Sequence, residues 1–163
     1  MKQTGISLDE RPVIAAALKK AEDTNGPAVA IEIGEDRLVT GKTSALMGAS
    51  AAAVLNAIKA LAGINENMHL ISPAVIEPVQ EMKVKYIGNS NPRLHIDEVL
   101  IALSVSAATN PLAELAMQQL PKLKGMEAHA TVILAATDET LFKKLGVNIT
   151  CEPVYQTKKL YHK

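Results

Sequence analysis

The chain has 163 residues, 48% of them hydrophobic, the size of one ordinary domain and enough to bury a single core. Its 17 basic and 17 acidic residues cancel to zero formal charge and only 2% of residues are aromatic, so a nucleic-acid partner, which needs a basic surface or stacking platforms, is not expected. Cys151 is the single cysteine; it excludes an internal disulfide and fits a reducing compartment, so a cytoplasmic location is expected.

Met1 to Gly5 lacks the apolar core of a signal peptide. The run Ala45 to Ala62, broken by Asn56 and Lys59, is too weakly apolar for a membrane span, so no membrane partner is expected. Ser7-Leu8-Asp9-Glu10 has the spacing of a capping box ahead of an amphipathic helix over Pro12 to Glu22, which Asn25-Gly26-Pro27 stops. Two short apolar segments, Ala28 to Ile33 and Arg37 to Thr40, flank Gly34-Glu35-Asp36 and read as an antiparallel hairpin. An alanine-rich helix is expected from Thr43 or Ser44 to Ala62, with Gly63 as its stop. His69-Leu70-Ile71 is a brief predicted strand. Ser72 then caps, and Pro73 opens, a helix over Ala74 to Tyr86, where Pro78 costs little only within the first turns.

Beyond the polar loop Gly88 to Pro92, a long helix is expected from Ile96 to Thr109, and Asn110-Pro111 starts another that Gly125 ends. Ala128 to Leu134 is a predicted strand and Asp138 to Leu145 a short helix stopped by Gly146, its Asp138 and Glu139 complementing the helix dipole. Val147 to Cys151 is the last predicted strand. Strands alternating with helices predict the fold class α/β: three layers, α/β/α, around a mixed, mostly parallel sheet with one antiparallel hairpin. There is no internal repeat.

Gly41-Lys42-Thr43 invites a test for a phosphate-binding P-loop, whose first glycine precedes Gly-Lys-Ser/Thr by a fixed spacing so that backbone amides wrap the phosphates. At that position stands Asp36, and Gly34 lies two places too early. The P-loop is excluded. What remains is a helix start where Gly41, Lys42, Thr43 and Ser44 offer amides, hydroxyls and a cation, either as an ordinary cap or as the seat of a small anion. In "VLIALSVSAATNP", Ser104, Ser106, Thr109 and Asn110 interrupt an apolar helix, with Ser106 and Asn110 on one face. They are either hydroxyls bonded back to helix carbonyls with Asn110 as a cap, or the polar wall of a ligand pocket. Gly48, Ala49, Ala52 and Ala53 allow close backbone approach, in the core or against a subunit.

The order hairpin, helix, strand, helix resembles the cytidine-deaminase-like arrangement. Zinc deaminases place His or Cys with Glu at the first helix start and Pro-Cys-x-x-Cys at the second. Here those places read Thr43-Ser44-Ala45-Leu46-Met47 and Ser72-Pro73-Ala74-Val75-Ile76, so no zinc and no other cofactor is predicted. His69, His95, His129 and His162 show no metal-ligand spacing, and a site from His69, His129 and Cys151 would need neighbouring strands to assemble it. No catalytic residue is readable, and neither a helix start nor a cation is readable beside Cys151 to activate it.

At "VTGKTSALMGASAAAVLNAIKALAG", "HLISPAVIEPVQ", "LHIDEVLIALSVSAATNP", "KLGVNITCEP" and "QTKKLYHK" the chain resembles the C-terminal domain of a bacterial family known as domain of unknown function 1846, also called uncharacterised protein family 0371. The resemblance runs from about Ser7 to Lys163. Members of that family are considerably longer, which implies that residues 1–163 are one domain, the C-terminal part of a longer protein whose preceding region carries its own glycine-rich loop. The resemblance carries no activity and no catalytic residue. Two roles follow as expectations: an accessory domain that forms a homo-oligomer or completes a site with the missing N-terminal region, or a module binding a small anionic ligand, a phosphorylated metabolite or nucleotide, at Gly41 to Ser44 with Ser106 or Asn110 nearby.

Overall fold

A computed structural model describes residues 11–154; the capping box at Ser7 to Glu10 and His162 lie outside the described residues. Helix α1 (Pro12–Thr24) has proline in its first turn, where no amide partner is lost, and ends at Asn25 in the left-handed region with φ 57°. Strands β1 (Ala28–Gly34) and β2 (Arg37–Lys42) form the expected hairpin, Asp36 taking φ 59° in its turn. Four helices follow in succession: α2 (Ala49–Leu61), α3 (Pro73–Glu81), α4 (Ile96–Ala107) and α5 (Pro111–Met117). The chain then returns to the sheet as β3 (Glu127–Ala130), α6 (Ala136–Leu145) and β4 (Asn148–Cys151).

The sheet order is β2-β1-β3-β4. β1 is antiparallel to both β2 and β3, and only β3 and β4 run parallel. This corrects the expected mostly parallel sheet, and the reason lies in the crossovers. A single helix between neighbouring strands enforces parallel pairing, and β3-α6-β4 is the one such unit here. Between β2 and β3 the chain passes through four helices, and that path sets no such direction.

His69 to Ile71 forms no strand. Leu70 and Ile71 are buried, so the apolar triplet pins a loop into the core; an apolar run this short does not distinguish the two. The hairpin, helix, strand, helix order behind the deaminase likeness is therefore not formed.

The three layers are present. Val29, Ile31, Ile33, Ala128 and Ala130 face the larger core with α2, α4 and α6, whereas Ala30 faces α1 through Val13, Ile14 and Ala17, as the two-residue period of a strand requires. Gly41 of β2 abuts α2: a Cβ there would collide with Ala53 N and stand 2.7 Å from both Ala49 O and Ala52 C. The glycine and the alanines of α2 thus serve close sheet-to-helix approach.

Pro78 lies inside α3 rather than in its first turn, and the helix continues as a π turn over Met82–Tyr86, where Ile87 N–H donates to Met82 O at 3.0 Å. Lys83, in that turn, is buried. No residue from Val99 to Ala113 is charged, yet Ile101 and Val105 of α4 are 63% and 58% exposed.

Candidate functional site

Helix α2 begins five residues later than expected from Ser44. Met47 is held in an isolated parallel bridge to Leu94; Leu94 N–H donates to Leu46 O at 3.0 Å and Gly48 N–H to Leu94 O at 3.1 Å. That bridge follows a tight turn, in which Ser44 N–H donates to Met47 O at 3.0 Å, and hands the cap to Gly48. It also brings the segment Asn91 to His95 against the start of α2.

A small cavity of about 50 Å³ results at the end of the sheet where β3 leaves and β1 enters. Three helix starts line it: Gly48, Ala49 and Ser50 of α2; His95, the cap of α4; and Ala135 with Asp138 of α6. Asn91 and Arg93 complete its polar wall. The first intrahelical bond of α2 runs from Ala52 N–H to Gly48 O, and that of α6 from Glu139 N–H to Ala135 O, so the amides before them carry the positive ends of two helix dipoles. Ser50 is 4% exposed, and its hydroxyl makes no hydrogen bond to another described residue.

The α4 start is already occupied. Asp138 reaches across from α6, its Oδ1 accepting from Ile96 N–H at 3.0 Å and its Oδ2 lying 3.3 Å from His95 Nδ1. Glu98 accepts from His95 N–H at 2.8 Å and pairs with the buried Lys83 Nζ at 2.9 Å, which also donates to Arg93 O at 2.6 Å. The Asp138 hydrogen bond is the main cause of a raised His95 pKa; burial opposes it, the charges of Asp138 and Glu98 reinforce it, and Lys83 works against it. A protonated His95 beside ionised Asp138 makes a neutral pair, and the amides at the starts of α2 and α6 then favour negative charge in the cavity. The arrangement suits a small anion.

The sequence-predicted residues lie elsewhere. Gly41 is packed on α2, and Lys42 is exposed at the end of β2. Thr43 has a buried Oγ1 without a hydrogen-bond partner, and Ser44 Oγ accepts from Leu46 N–H at 3.2 Å while Ser44 O accepts from Arg93 Nε at 2.7 Å. None of these four lines the cavity, although Ser44 is tied to it through Arg93. Ser106 and Asn110 share a separate open groove of about 520 Å³ with Leu70, Val75 and Val105. There Asn110 Oδ1 caps α5 by accepting from Leu112 N–H at 3.0 Å and Ser106 Oγ is buried without a partner; Ser104, outside the groove, donates its Oγ back to Ile101 O at 2.7 Å. The two parts of the expected site are not brought together.

His69, His129 and Cys151 do not assemble a metal site: no group of three or more candidate ligands exists among the described residues. His129 instead lies between Thr150 Oγ1 at 2.7 Å and Glu152 Oε2 at 2.6 Å, and Cys151 is exposed on the outer strand. Sequence reasoning missed Ser50, Arg93, His95 and Asp138. The one local signal was Glu98 three residues after His95, the spacing of a reciprocal helix cap.

Among the described residues no helix is long and apolar enough to cross a membrane. The family described as "Domain of unknown function DUF1846, C-terminal" matches residues 9–161. The chain is 52% identical over all 163 residues to a UPF0371 protein of Corynebacterium glutamicum (strain R) and 51% identical to UPF0371 proteins of Streptococcus pyogenes serotypes M3 and M5. In each case it spans all of this chain and 33% of the relative.

Proposed function

The chain belongs to the family of DUF1846 C-terminal domains, and we propose that it gives the longer family protein a site for a small anionic ligand, a phosphorylated or carboxylated metabolite. One observation carries the proposal: the starts of α2 and α6 converge on a cavity that is also lined by Ser50, a residue only 4% exposed whose hydroxyl makes no hydrogen bond to another described residue. Two orphaned helix ends on one cavity favour negative charge there, and a hydroxyl on its wall without a partner among the described residues is available to a hydrogen-bonding guest. The anion reading thereby moves from Gly41 to Ser44 onto the next helix start along the chain. The accessory role fits alongside it, because the chain spans only a third of its relatives' length. The uncharged face of α4 favours a second reading, contact with the rest of a longer cytoplasmic protein or with another copy of the chain.

Thermal-shift and calorimetric titration with inorganic phosphate, pyrophosphate and citrate tests the site. Any of them at 100 times its Kd should add about 2.7 kcal/mol of stability, and Ser50→Ala should weaken the response. If none of the three shifts the unfolding of this chain or of a full-length relative, the proposal fails.

A further inference from the structure

Asn91 and His95 of the small cavity line a second one as well. This shallower cavity, of about 340 Å³, adjoins the first. The outer one is walled by Asn89, Ser90, Asn91, Asp97, Glu98 and Thr137, with Lys83 at its base. Lys83 is neutralised by Glu98 at 2.9 Å, and Asp97 Oδ1 accepts from Glu98 N–H at 2.8 Å. Asn91 Oδ1 accepts from Arg93 N–H at 3.0 Å, which leaves its side-chain amide N–H groups to donate.

These two chambers ask for different chemistry. The inner one presents the amides of two helix starts and the Ser50 hydroxyl, and takes negative charge. With Lys83 and Glu98 cancelling each other, a second anionic group in the outer chamber would face the charge of Asp97, so the negative charge of the guest belongs at one end only. Asn, Ser and Thr side chains both donate and accept, which is the pattern a hydroxyl matches, since it does the same. A bare hydrocarbon would cover those groups and leave them unpaired. No Phe, Tyr or Trp lines either chamber, which removes the large stacking surfaces that a nucleobase would use.

We infer that the guest is a phosphate monoester of a polyol or sugar, its phosphate in the inner chamber, its hydroxyls in the outer one and His95 beside the bond that joins them. The inference rests on the small-anion reading above and specifies its ligand class. The test compares inorganic phosphate, glucose 6-phosphate and butyl phosphate by calorimetric titration of the full chain. Glucose 6-phosphate should bind at least about tenfold more tightly than butyl phosphate, a difference of about 1.4 kcal/mol. Asn89 and Thr137 are exposed, so Asn89→Ala and Thr137→Val leave the fold intact by circular dichroism; each should remove most of that preference and leave inorganic phosphate binding unchanged. Ser50→Ala should weaken all three. Equal binding of butyl phosphate and glucose 6-phosphate overturns the polyol inference and leaves the anion site standing. Failure of inorganic phosphate and of both esters to bind overturns the anion site and the inference together.

Discussion

Replacing Gly41 with alanine puts a methyl group where α2 already lies. The new Cβ would stand 2.7 Å from Ala49 O and Ala52 C, with Ala53 N also in the way, whereas ordinary van der Waals contact begins at 3.4 Å. Relieving the two 2.7 Å contacts alone needs a separation of about 0.7 Å, Ala53 N lies closer still, and every obstructing atom is backbone, so no side chain can swing aside. Overpacking of this kind typically costs about 1–3 kcal/mol, and the rigidity of both partners places Gly41→Ala at the upper end. For a domain of this size each kcal/mol moves Tm by about 2–4 °C, so a fall of roughly 6–12 °C is expected. Urea denaturation followed by circular dichroism supplies the free energy directly, and Gly26→Ala, with nothing within 4 Å of its new Cβ, is the control. A Gly41→Ala protein within about 0.5 kcal/mol of wild type, the range of neutral surface substitutions, would refute the close-approach argument.

Other outcomes follow from the charges and caps. Because the His95 pKa is raised on folding, the stability it contributes is complete below its unfolded value of about 6.5 and is lost as pH rises through the higher folded value. The stability gap between wild type and His95→Gln, measured in urea at a series of pH values, should shrink across that window; a gap that widens with pH contradicts the assignment. Affinity for sulfate, whose charge is constant over that range, should decline as deprotonation leaves Asp138 uncompensated beside the cavity, and titrations at two pH values read this directly. Lys83→Met should cost about 3 kcal/mol by stranding Glu98, and adding Glu98→Gln should restore much of it, a recovery that a double-mutant cycle measures. Asn110→Ala, which removes the cap on α5, should cost about 1 kcal/mol in urea unfolding, and Asn110→Asp should recover it.

Local chemistry was legible where one residue decides the outcome. Ser72 Oγ accepts from Ala74 N–H at 2.9 Å as its place before Pro73 suggests, Asn110 caps α5, and Gly146 closes α6 at φ 81°. The hairpin was legible because its turn and its apolar segments are contiguous. Strand direction was not, since the antiparallel pairing of β1 with β3 joins residues about a hundred positions apart, such as Val29 and Ala130, and no local pattern encodes it. The start of α2 was missed for a related reason: the Met47 to Leu94 bridge overrides the helix propensity of Ser44 to Leu46. The candidate site was least legible, because Ser50, Arg93, His95 and Asp138 come from three separate stretches of chain and share no motif spacing.

The π turn at Met82–Tyr86 makes chain length negotiable at this one place. It holds one residue more than an α-helical turn would, and the loop that follows carries Asn89 and Asn91 into the outer chamber. Removing one of its exposed residues Val84, Lys85 or Tyr86 would let the turn tighten to α, and because either turn completes about one rotation the loop beyond would keep its direction relative to Lys83. Among natural variants of this domain a one-residue gap should therefore fall in this stretch more readily than within the regular part of α3.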